Sequence, residues 1–106
     1  MKLRIEYTRQ AQTDLDEIYR YIAYALCSPD TAADMLRHII ESVRSLETLP
    51  LRNPLVDESP WKNLGLRKLY VKNHIVFYTA EDDSVRIIRI MYGGRDIGKQ
   101  LEESYM

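Results

Sequence analysis

Leu3, Ile5 and Tyr7 alternate with Lys2, Arg4 and Glu6, and this period of two predicts a half-buried strand over residues 2 to 7. Thr8 can then cap a helix. Ala11, Leu15, Ile18, Ile22 and Leu26 recur at helical spacing on one face, which predicts a first helix of roughly five turns. Asp16 and Arg20 form an i,i+4 pair on it. Ser28-Pro29-Asp30 stops that helix and starts another, because proline suits the first turn and an acidic residue favours the positive end of the helix dipole. Ala33, Leu36, Ile40, Val43 and Leu46 mark the second buried stripe, widened by Met35 and Ile39. The short connection makes the two helices an antiparallel hairpin.

From Pro50 to Pro60 the periodicity dissolves into a loop of roughly ten residues, long by ordinary standards. Three β-rich runs follow, GLRKLYV (65 to 71), HIVFYTA (74 to 80) and SVRIIRIMY (84 to 92), separated by Lys72-Asn73 and Glu81-Asp82-Asp83. These hairpin-length gaps predict an antiparallel meander. Residues 97 to 103 are read as a short helix or a mobile tail. The order strand, helix, helix, three strands is α+β, with the helical hairpin packed on one face of an antiparallel sheet. The other sheet face is expected to be left to solvent or a partner.

The 106 residues and a hydrophobic share of 45% fit a single domain over residues 1–106. No apolar run is long enough to span a bilayer, and the first residues do not form a signal peptide, so a cytoplasmic location without membrane contact is expected. Cys27 is the lone cysteine, and no Cys/His grouping has zinc-site spacing. Neither a metal nor a cofactor is expected.

The net charge of −1 conceals an uneven distribution. Residues 1 to 61 carry −3, residues 62 to 95 carry +4, and the tail carries −2. A basic sheet of this kind can hold a polyanion or an acidic peptide.

LDEIYRYIA (15 to 23), the stretch from Ala32 to Pro50 ending in SLETLP, KLYVKNHIVFY (68 to 78) and SVRIIRIMYGGRDI (84 to 97) resemble the RelE/ParE superfamily of type II toxin–antitoxin toxins. The resemblance spans nearly the whole chain and is nearest to the ParE-like branch, which includes plasmid stabilisation proteins. Its most specific part is the close of the last run, a hydrophobic strand, small residues and then Arg95-Asp96. The resemblance implies a β-α-α-β-β-β fold, a cognate antitoxin encoded nearby, a toxin–antitoxin hetero-oligomer and inhibition of growth. It implies one of two targets, DNA gyrase for ParE-like members or mRNA within the ribosome for RelE-like endoribonucleases.

RNA cleavage through the 2′-hydroxyl needs a proton acceptor, cations for the phosphorane charge and an acid for the leaving 5′-oxygen. Carried over by position, Lys68 matches a RelE-like lysine and Arg95 matches the arginine after the last strand. Leu66, Ile75 and Leu101 stand where the RelE-like pattern has a second lysine, an arginine and a terminal tyrosine. His74 and Tyr92 complete the set for an endoribonuclease, His74 as a proton carrier near neutrality. For binding the target or the antitoxin, the candidates are Arg67, Lys68, Arg86, Arg89, Arg95 and Tyr19. Arginine can grip phosphate or carboxylate bidentately. Arg86 and Arg89 share a sheet face only if a bulge intervenes. Trp61 reads as a lid on the core. An antitoxin is expected to add an amphipathic helix or a strand, pairing its acidic residues with the arginines.

Overall fold

The computed structural model describes residues 2–57, 60–93, 99 and 101. Strand β1 (Arg4–Tyr7) leads into helix α1 (Arg9–Arg20), which continues as a π-helical turn (Tyr21–Ala25) before α2 (Pro29–Arg44) and a 3-10 turn (Ser45–Glu47). The chain then returns through β2 (Arg67–Val71), β3 (His74–Ala80) and β4 (Ser84–Tyr92). The strands lie in the order β1-β4-β3-β2. The β2–β3–β4 meander is antiparallel as expected, but β1 pairs parallel with β4, Ile5 opposite Val85. The sheet is therefore mixed, because β1 reaches the far edge by way of the helical hairpin, and a long crossover of that kind can deliver a parallel neighbour.

Local chemistry sets the helix boundaries. The Thr8 hydroxyl accepts from the Ala11 amide at 3.1 Å, capping α1, and Pro29 occupies the first turn of α2. Asp16 and Arg20 pair at 3.1 Å. The Leu26 amide donates to the Tyr21 carbonyl at 3.0 Å, five residues back, and this wider turn is the π segment. Cys27, with φ 54°, then reverses the chain while the Ser28 amide reaches back to the Ile22 carbonyl at 3.1 Å.

The main core lies between the helices and one sheet face, where Ala11, Ile39, Val43 and Leu46 meet Leu69, Val76, Tyr78, Val85, Ile87 and Ile90. The buried stripe of α2 is rotated from the expected one. Ala32, Ile39 and Val43 are buried whereas Ala33 and Ile40 are exposed, because the stripe must follow the sheet and not only its own periodicity.

The opposite sheet face departs further from expectation. Instead of an open surface it carries a second apolar cluster, in which Trp61, Leu66, Phe77, Met91 and Leu101 are buried, with Val56, Ile75 and Ile88 packed against it. Trp61 is a lid, but on this second core. The long loop supplies it and is pinned by hydrogen bonds. Tyr78 Oη donates to the Pro50 carbonyl at 2.6 Å and accepts from Asn53 Nδ2 at 3.2 Å, while Leu55 bridges Arg67. Of the tail expected to be helical or mobile, only Lys99 and Leu101 fall within the described residues.

Tyr7 packs against the main core, and burial pushes its phenol above the ordinary 10.0, with nearby Arg44 pulling the other way. Below pH 10 folded and unfolded chains both keep this proton, so its contribution to stability is constant. Above pH 10 the unfolded chain ionises first, and stability is lost as pH rises toward the folded value. Urea titrations between about pH 8 and pH 11 should therefore show a smaller alkaline loss for Tyr7→Phe than for the parent.

Candidate functional site

Strand β4 outruns β1: pairing stops at Tyr7 opposite Ile87, leaving the edge of residues 88 to 92 without a strand neighbour on that side among the described residues. Polar side chains take the place of the missing strand. Thr8 Oγ1 donates to the Ile88 carbonyl at 2.9 Å, and Asp14 Oδ2 accepts from the Ile90 amide at 2.9 Å. Arg89 grips the same carboxylate bidentately, Nε to Oδ2 at 2.8 Å and Nη2 to Oδ1 at 3.0 Å. With only 14% and 8% of the Arg89 and Asp14 side chains exposed, this is a buried clamp fixing α1 to β4.

The register shifts beside the clamp, so that Phe77 faces Arg89 while Tyr78 faces Ile87. This is the bulge that Arg86 and Arg89 require to share a face. Arg86, opposite Thr79 and Glu6, is exposed, but the Arg89 guanidinium is turned to Asp14.

A groove of about 570 Å³ opens next to the clamp, between α1 with its π turn, the start of α2 and the far end of the β3–β4 hairpin. Ile18, Ile22, Met35 and Ile90 provide its apolar surface, and His74 and Tyr92 stand at the hairpin end. His74 is buried although it adjoins the turn at Lys72-Asn73. It lies opposite Tyr92 in the β3–β4 register, the rings meeting edge-on with centroids 5.9 Å apart.

Of the expected endoribonuclease set, His74 and Tyr92 are brought together and Lys68 is not. Lys68 faces Phe77 in register, on the side of the second core, and its ammonium lies 5.8 Å from the Tyr70 ring centroid. His74 and Tyr92 border the groove on the helix side. Leu66 is fully buried, which accounts for an apolar residue at that position. Arg67 donates to the Asn53 carbonyl at 2.7 Å and so anchors the loop. Tyr19 packs against the small cluster of Ile22, Ala23 and Ala32. Arg95 lies outside the described residues. Among the described residues, no group of three His, Cys, Asp or Glu side chains could hold a metal ion, and no helix is long and apolar enough to cross a membrane.

Sequence reasoning missed Asp14, Glu17 and Leu26 as site residues, all of which line the groove. A signal existed for the first. Asp14 lies three residues after Ala11 and four before Ile18, on the face that the apolar spacing turns inward.

The sequence family described as the ParE toxin of the type II toxin–antitoxin system parDE matches residues 5–97. The chain belongs to the ParE toxin family. Solved structures share the fold. The chromosomal ParDE toxin–antitoxin system of P. aeruginosa matches with a TM-score of 0.71 at 23% identity, over 86% of this chain and 96% of that one. The toxin–antitoxin complex RelBE2 of Mycobacterium tuberculosis gives 0.62 at 18%, over 87% and 99%. The DinJ–YafQ toxin–antitoxin complex of E. coli gives 0.58 at 23%, over 92% and 100%. Curated proteins offer no match to the sequence. The ParE-family chain is thus a toxin of the type II class, with two helices packed on a mixed four-stranded sheet.

Proposed function

We propose that this chain is a growth-inhibiting toxin of the cytoplasm that acts by binding and poisoning DNA gyrase, and that a cognate antitoxin neutralises it. Such a pair would stabilise a plasmid that carries it. The observation that carries the reading is the ParE family match over residues 5–97. The partner reading draws on the neighbouring folds, which come from toxin–antitoxin systems and complexes.

The geometry favours binding over catalysis. An endoribonuclease must bring a proton acceptor, a proton donor and cations to one phosphate, yet Lys68 lies on the opposite face from His74 and Tyr92, and Arg89 and Arg67 already hold Asp14 and Asn53. A surface that acts by contact needs no such convergence.

Inducing the protein while following plasmid supercoiling and transcript integrity tests the reading. Gyrase poisoning predicts loss of negative supercoiling and trapped gyrase–DNA cleavage complexes with transcripts intact. Codon-positioned transcript cuts with unchanged supercoiling would replace it with the endoribonuclease reading. Growth with neither change would point to an inactive relative.

A further inference from the structure

The far edge of the sheet, formed by β2, is covered along only part of its length. The chain leading into β2 lies against its start. The Val56 amide donates to the Leu66 carbonyl at 2.8 Å and the Lys68 amide to the Pro54 carbonyl at 3.2 Å, with Leu55 bridged to Arg67. Pro54 ends this cover, because it has no amide hydrogen to return to the Lys68 carbonyl. The Lys68 amide therefore points away from β3, and backbone direction repeats every two residues along a strand. The Tyr70 amide and carbonyl point outward too, and among the described residues no backbone group meets either one.

The side chains around this gap share one sign. Lys68 and Tyr70 lie opposite Phe77 and Ile75 on the face of the second core, and the Lys68 ammonium stands 5.8 Å from the Tyr70 ring centroid. Lys72, exposed in the turn with φ 54°, adds a second charge. Neither lysine makes an ion pair among the described residues. The strands β2 and β3 and the turn between them contain no aspartate or glutamate.

Lysines alone would guard an edge against pairing. Here, however, the Tyr70 ring is left 61% exposed beside them, an aromatic surface on which a cross-strand side chain packs. A strand laid opposite Tyr70 would exchange two main-chain hydrogen bonds with it and set its own side chain on the same face as the ring. Lys68 and Lys72 are then within diagonal reach of long side chains, so the segment that fits is acidic. The outward amide and carbonyl match another polypeptide, since a phosphodiester backbone offers acceptors but no donor. A toxin that acts by contact must present such an unfinished surface to its target.

Resting on the gyrase reading above, we infer that an extended acidic segment of gyrase docks on the open part of the β2 edge, pairing its backbone with Tyr70 and its aspartate or glutamate with Lys68 and Lys72.

The test uses the full toxin, gyrase holoenzyme and plasmid DNA, with binding measured by interferometry at two salt concentrations and trapped cleavage complexes followed on gels. Lys68→Glu/Lys72→Glu should weaken gyrase binding roughly tenfold or more, with the difference narrowing at high salt. Tyr70→Pro removes the outward N–H without touching the β2–β3 hydrogen bonds, whereas Tyr70→Thr keeps it. Both lose the ring, so the proline variant should bind about threefold more weakly than the threonine variant, the worth of one hydrogen bond. Lys2→Glu, beside β1 at the opposite edge, should leave affinity unchanged. The antitoxin encoded beside the toxin should bind every variant as it binds the parent, and circular dichroism should show all of them folded.

Equal gyrase binding by the parent and the edge variants would overturn the edge assignment and leave the gyrase reading standing. Absence of gyrase binding by the parent would overturn both. Loss of antitoxin binding, or of binding to plasmid DNA alone, in place of gyrase binding would give the edge to that partner and overturn the inference.

Discussion

Asp14→Ala should destabilise the fold by about 3–5 kcal/mol, the usual cost of removing one partner from a buried ion pair. The substitution leaves the Arg89 guanidinium, largely buried, without its carboxylate, and the Ile90 amide without its acceptor. The loss is large against a total stability of about 5–15 kcal/mol for a domain of ordinary size. Urea denaturation followed by circular dichroism would measure it as a fall in the midpoint. Asp14→Asn should cost less, since its amide oxygen can still accept from Ile90 while the charge is lost. The double variant Asp14→Leu/Arg89→Met should also cost less than Asp14→Ala, because neither an isolated charge nor a cavity remains. A loss within ±0.5 kcal/mol, typical of surface substitutions, would contradict the clamp.

This clamp occupies the Ile90 amide on the stretch of β4 that extends beyond β1. It also connects stability to the groove, since Asp14 belongs to both. One carboxylate thus satisfies the sheet edge, while Glu17, one turn along the same helix, is left to carry charge outward.

Much of this architecture was legible in the residues. The alternation in β1, the Thr8 cap, the Pro29 restart and the hairpin gaps at 72–73 and 81–83 are local signals, and the elements form where they place them. What lay beyond local reading depends on partners distant in sequence. Arg89 is 75 residues from Asp14, and neither residue type announces burial. The parallel pairing of β1 with β4 is likewise set by the route of the hairpin. Covering of the second sheet face did leave a trace, because Ile75-Val76-Phe77-Tyr78 and Ile90-Met91 are apolar at consecutive positions, and a strand open on one face alternates. The candidate residues of the sheet were found by charge, proton chemistry and, for Lys68, resemblance, none of which says whether Lys68 and His74 share a face or whether Arg67 and Arg89 are already engaged.

The second core makes the other large prediction. Trp61→Ala should cost about 3–5 kcal/mol and Leu101→Ala about 2–5 kcal/mol, the range for truncating buried side chains of these sizes. Both belong to the cluster around Phe77, so the cavities merge, and the double variant should cost less than the sum of the two. The chain has a single tryptophan, which supplies a direct readout: Leu101→Ala should shift Trp61 emission to the red as water reaches the indole, even where the fold survives. If this face of the sheet were instead open for target binding, Leu101 would be a tail residue without packing consequence and its truncation would leave both stability and emission unchanged. The emission shift therefore decides whether the tail helps to build the domain, and with it whether target contacts must be sought on the groove side and the exposed cations around this core.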